Sequence, residues 1–135
     1  MAGRGKSSEA GLVIRPAHFP GRAPVDTYGN GGFRFAEMSH QGSILCLPSG
    51  IYGWSAVLPE DISLKTFQRV LGETGLDLIL VGTGRDLVPL SPKLREGLLA
   101  KNIRADAMST GAAARTFNVL LAEGRAVGAA LLAVD

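Results

Sequence analysis

The chain has one cysteine, two histidines and one tryptophan among 135 residues, and only 6% of it is aromatic. With Cys46 alone, no disulfide can close within the chain, which fits a reducing compartment. His18 and His40 fall in predicted loops and have no cysteine, histidine or carboxylate at ligand spacing, so no metal is expected. No apolar run approaches the roughly 20 residues that cross a bilayer, so no integral membrane segment is expected. The N-terminus lacks the apolar core of a secretory signal, and it does not clearly draw a transit peptide. No carboxylate pair invites glycoside chemistry, since Asp61, Asp77 and Asp86 sit at helix starts and in loops.

What is present is an ordinary globular composition, 46% hydrophobic and 19% charged, at the usual size of one domain. The pI of about 9.0 is misleading about partners. Arg4, Lys6, Arg15 and Arg22 against Glu9 leave the first segment three charges positive, while 10 basic and 11 acidic residues leave the rest at −1. The basicity belongs to the leader, and the domain has no basic face to follow phosphates, so no nucleic-acid partner is expected. Residues 1–23, rich in Gly, Ser, Pro and Arg without periodicity, read as a flexible basic leader with few buried contacts. Residues 24–135 read as one domain.

Predicted strands cover 25–28 and 33–36 around Gly29-Asn30-Gly31-Gly32, which has the residues of a positive-φ turn. Residues 43–47 and 51–56 follow as further antiparallel strands. The period then becomes helical at Leu64, Phe67, Val70 and Leu71 behind Ser63, a good N-cap, and Gly72 and Gly75 end that helix. Leu76–Val81 is almost wholly apolar, as in a strand covered on both faces. Ser91-Pro92 starts a second helix with Leu94, Leu98 and Leu99 inward, and Asn102 can stop it. Strand 103–108, helix 111–123 ended by Gly124, and strand 126–134 complete the chain. This alternation predicts right-handed βαβ crossovers. The fold class is therefore α/β, a single compact three-layer domain with a mixed central β-sheet and an antiparallel N-terminal part.

Two stretches draw attention. Gly82-Thr83-Gly84 follows a buried strand, but the third glycine of a dinucleotide fingerprint is replaced by Leu87, and Pro89 and Pro92 delay the helix. No Gly-Lys-Ser/Thr makes a P-loop, so no cofactor is expected, and the glycines also read as plain turn residues. The second stretch is Ser109-Thr110-Gly111-Ala112-Ala113-Ala114-Arg115-Thr116-Phe117-Asn118. If the strands 76–81 and 103–108 are parallel, both stretches meet at one sheet edge, where α/β folds form crevices. Thr110 or Ser109 would cap the helix, and small residues would leave its first N–H groups open to an anion. Arg115 and Asn118 share a face of that helix. The alternative is a surface arginine with alanines chosen for helix propensity. Cys46 reads as a small buried thiol, and Tyr28 and Trp54 as strand-end aromatics that line a groove or lid the core.

The ordered set Tyr28-Gly29-Asn30-Gly31-Gly32-Phe33, the Ser43-to-Trp54 hairpin, Leu78-Ile79-Leu80-Val81-Gly82-Thr83-Gly84 and Met108 to Leu120 resembles domain-of-unknown-function family 498, which includes the mitochondrial respiratory complex I assembly factor 3. The resemblance runs from about Val25 to the C-terminus. It implies a three-layer α/β domain and a non-enzymatic binding or assembly role linked to maturation of a respiratory or membrane complex. Protein subunits or another assembly factor would be its partners. It also marks Gly82, Thr83, Gly84, Thr110, Arg115, Thr116 and Asn118, to which the sheet-edge reading adds Ser109 and Gly111, as a ligand or partner site with no assigned catalytic residue. Alternatives are a small-ligand binder or enzyme using the edge crevice, and a plain protein-interaction module. The leader does not look like the import sequence of the mitochondrial members, so a bacterial-type cytoplasmic protein is expected, and the oligomeric state stays open.

Overall fold

A computed structural model describes residues 19–135. The first eighteen residues of the expected leader, and His18 with them, lie outside the described residues. In chain order the elements are β1 (Val25–Gly29), β2 (Gly32–Phe35), β3 (Met38–Gln41), β4 (Ser43–Leu47), β5 (Gly50–Trp54), a 3₁₀ turn (Pro59–Asp61), α1 (Gln68–Leu71), β6 (Leu78–Gly82), α2 (Pro92–Leu99), β7 (Arg104–Met108), α3 (Thr110–Ala122) and β8 (Val127–Leu131).

Five strands form the central sheet in the order β5-β4-β8-β6-β7, and β1-β2-β3 form a smaller antiparallel sheet. β6 pairs in parallel with both β7 and β8, whereas β4 runs antiparallel to β5 and β8. The period-2 alternation of strands explains the apolar runs. Ile79 and Val81 enter one core with Phe67, Val70 of α1, and Leu94 and Leu98 of α2. Leu80 enters the other, with Ala113, Ala114 and Phe117 of α3 and Phe33 and Phe35 of the small sheet. The central sheet is thus covered on both faces, and the mixed three-layer α/β architecture stands.

Several local expectations change. Ala36 and Glu37, both at positive φ, make a two-residue hairpin turn that lacks the usual Asn-Gly signature, so β3 follows where a loop was expected, and His40 lies in that strand. The first helix begins at Gln68 rather than behind Ser63. The Thr66 hydroxyl donates to the Asp61 carbonyl at 2.6 Å, and the Trp54 indole N–H donates to the Thr66 carbonyl at 2.9 Å. That carbonyl is the acceptor a longer helix would have offered to Val70. β8 stops at Leu131, short of the expected 134. Residues 19–23, expected in the leader, are docked. Phe19 bridges Ile51, Ala23 is buried, and the Arg22 guanidinium donates to the Arg125 carbonyl.

Candidate functional site

Parallel pairing of β6 with β7 brings the two expected stretches together at the C-terminal edge of the sheet. They are bonded to each other and to the end of β8. The Thr83 N–H donates to the Met108 carbonyl at 2.9 Å, and the Thr110 N–H donates to the Gly84 carbonyl at 2.8 Å. The Gly84 N–H returns a bond to the Thr110 hydroxyl at 3.0 Å, and that hydroxyl donates to the Leu132 carbonyl at 2.8 Å. Thr110 is 0% exposed. Gly84 holds φ of +107°, a conformation that favours glycine. Gly82 is required by closeness, because a Cβ there would stand 2.8 Å from the Thr110 Cα.

Of the two possible caps, Ser109 takes the role. Its backbone is extended, and its hydroxyl accepts the Ala112 N–H at 3.3 Å. Thr110 is instead the first residue of α3, with its hydroxyl turned into the sheet. Thr83 is similarly occupied, donating to the Asp86 carbonyl at 2.7 Å and accepting the Val88 N–H at 2.9 Å. These hydroxyls shape the loop between β6 and α2.

The helix residues divide between two neighbourhoods. The Asn118 amide clamps β1, accepting the Val25 N–H at 2.9 Å and donating to the Val25 carbonyl at 2.8 Å. Arg115 is exposed and Thr116 half-buried. Gly111 makes room for Tyr28, whose hydroxyl would collide with a Cβ at that position, and the Arg115 guanidinium lies nearby. The small residue that was expected to admit an anion therefore admits a tyrosine of the small sheet.

The sheet edge does carry a crevice, of about 320 Å³, between the 3₁₀ turn and the β6–α2 loop. Pro59, Ile62, Val88 and Leu90 give it apolar walls, Glu60 and Thr83 polar ones. Thr83 is the expected site residue that lines it. Val88 is 38% exposed, and Val57 (71%), Leu58 (52%) and Leu87 (58%) are exposed on the same two segments. The sequence signal for this rim was Leu87-Val88-Pro89-Leu90, an apolar run inside a loop. A second hollow, of about 330 Å³, lies on the small sheet, with Tyr28, Arg34 and His40 among its walls. Burial holds the His40 imidazole below its ordinary pKa of 6.5, opposed by a hydrogen bond with the Ser43 backbone. Among the described residues, no group of three or more His, Cys, Asp or Glu side chains could hold a metal ion.

Comparison with known proteins places this architecture among relatives. An uncharacterized protein of Rhodobacter capsulatus is 40% identical over 121 residues, spanning 90% of this chain and 93% of that protein. The mouse NADH dehydrogenase [ubiquinone] 1 alpha subcomplex assembly factor 3 is 29% identical over 122 residues, 90% of this chain but 66% of that protein's length. A crystal structure described as an outer membrane protein from Bartonella henselae is 58% identical, with a TM-score of 0.84, and the match covers 87% of this chain and 100% of that one. Residues 25–132 match the family model for proteins of unknown function DUF498/DUF598, and the chain belongs to that family.

Proposed function

We propose that this protein is a non-enzymatic binding or assembly factor that acts through protein contacts at the rim of the sheet-edge crevice. The observation that carries this reading is a contrast at one edge of the fold. The Thr83 and Thr110 hydroxyls are consumed by backbone partners, while Val88 lines the crevice and is exposed, and Val57, Leu58 and Leu87 are exposed on the same two chain segments that supply its walls. Catalysis needs free polar groups aimed at a reacting atom, whereas exposed apolar side chains around a cleft suit a protein partner. The assembly role named for the mouse relative supports the same direction, with subunits of a respiratory or membrane complex as partners.

The alternative is a small-ligand binder or enzyme that uses Arg115 to fix an anionic group. The exposure of Arg115 beside Tyr28 and the first turn of α3 favours it. Purification from native lysate at low salt separates the two. Recovery of respiratory-complex subunits supports the assembly reading, and a stoichiometric co-purified metabolite without them refutes it.

The proposed location is the cytoplasm of a bacterial-type cell. Among the described residues no helix is long and apolar enough to cross a membrane. The Bartonella henselae relative is described as an outer membrane protein. Fractionation of the native cell is the test, and recovery in the outer-membrane fraction contradicts the proposal.

A further inference from the structure

The crevice at the sheet edge reaches down to the core. Of its walls, Ile62 and Leu90 are each 8% exposed and belong to the cluster that holds Phe67, Leu94 and Leu98, and Thr83 is 2% exposed. The two segments that supply the walls are fixed by their own hydrogen bonds. The Asp61 carboxylate accepts the Val57 and Leu58 N–H groups at 3.0 and 2.9 Å, and the Thr83 hydroxyl accepts the Val88 N–H at 2.9 Å. Pro59 and Pro89, also in the walls, have their φ set by their rings. A cleft built this way exists before anything enters it, so little ordering opposes binding.

Size and polarity narrow the occupant. At about 320 Å³ the space lies at the low end of the roughly 300–1,000 Å³ of small-molecule pockets, enough for one aromatic or leucine side chain. The hydroxyls of Thr83 and Ser91 already bond within the chain, so an apolar group takes no partner from them. Charge narrows it further. Among the described residues, Glu60 is the single charged one in the walls, and it is exposed. Along segments 57–62 and 83–91, Glu60, Asp61 and Asp86 outweigh Arg85. This rim attracts a cation and repels an anion.

We propose, on the reading of the rim as a protein-contact surface, that the crevice receives one large apolar side chain of the partner, with a lysine or arginine beside it that meets Glu60. A buried apolar side chain with a charge pair at the rim concentrates binding in a few residues, as interface hot spots do.

Two probes with the same ring and opposite charge test this. Tryptamine and 3-indolepropionate are titrated into the wild-type chain and Glu60→Gln while methyl NMR signals are followed. Both are expected to shift the methyls of Ile62, Val88 and Leu90, with Kd on the order of millimolar, as for other fragments. Tryptamine is expected to bind about three- to tenfold tighter, and Glu60→Gln to remove most of that preference. Absence of these shifts, propionate binding as tight as tryptamine, or a preference that Glu60→Gln leaves whole overturns the proposal. Shifts of the same methyls with protein concentration alone overturn it too, and assign the crevice to a second copy. Partner capture separates the two readings. If neither probe binds but a Leu87→Glu/Val88→Glu variant loses the partner, the side-chain pocket is overturned and the protein-contact reading stands. If the probes bind as expected but that variant keeps the partner, the protein-contact reading falls, and the proposed occupant with it.

Discussion

Thr110 and Gly84 exchange two hydrogen bonds across the ends of β7 and β6, one through the Thr110 backbone and one through its hydroxyl. The same hydroxyl holds the Leu132 carbonyl just after β8, so a single buried side chain ties three strand ends. Thr110→Val keeps the shape and removes both hydroxyl bonds, leaving the part-buried Gly84 N–H and the buried Leu132 carbonyl without that partner. Its expected cost is about 2–4 kcal/mol. Ser109→Ala, which removes only the cap, is expected to cost about 1 kcal/mol. Urea unfolding of the two variants checks the order, and equal costs would contradict the assignment.

Gly82→Ala should also destabilise, by about 1–3 kcal/mol, because the new methyl meets the Thr110 backbone rather than a mobile side chain. Gly111→Ala meets the far end of Tyr28, which is 42% exposed and able to swing aside. It should therefore cost much less. Thermal melts of both variants distinguish a tight backbone contact from an adjustable one.

Much of this architecture was legible in the chain. Leu78 to Val81 announced a doubly covered strand, Asn30-Gly31 a hairpin turn, and Ser91-Pro92 a helix start, because each rests on a local rule. β3 was missed because Ala36 and Glu37 take positive φ without the residues that usually signal it. Ser63 misled because the Thr66 hydroxyl and the Trp54 indole engage the Ser63 and Thr66 carbonyls that a longer helix would use as its own acceptors. The meeting of the two stretches at the sheet edge followed from parallel strands. The direction of each hydroxyl did not, since Thr110 and Ser109 are equivalent caps until the end of β8 supplies a partner for one of them. The Tyr28–Gly111 contact joins residues far apart in the chain, and nothing local announces it.

Stability should fall in mild acid through His40. Burial depresses its pKa in the folded state, so between that value and 6.5 the unfolded chain binds more protons than the native one. The contribution of neutral His40 is therefore complete above pH 6.5 and is lost as pH falls toward the folded value. His40→Gln should flatten this part of the profile, as read from urea midpoints at about pH 7.5 and about pH 5. An unchanged difference between the two pH values would show that other groups carry it.

Cys46 should resist modification. It lies at 1% exposure in the core, and burial pushes its thiol pKa up to about 12. An aromatic disulfide reagent should label it slowly in the native protein and stoichiometrically in denaturant. Rapid native labelling would revive a nucleophilic role for the thiol.

The central claim is that protein contacts at the crevice rim, and not ligand chemistry at Arg115, carry the function. Its most direct test is partner capture from native lysate, with identification of the subunits, by the wild-type chain, a Leu87→Glu/Val88→Glu variant and Arg115→Ala. Leu87 and Val88 are exposed and Arg115 is on the surface, so all three chains should fold, each substitution costing no more than about 1 kcal/mol. The rim variant is predicted to lose the respiratory-complex subunits while Arg115→Ala retains them. Full retention by the rim variant, with loss of partner or bound metabolite only in Arg115→Ala, would contradict the account.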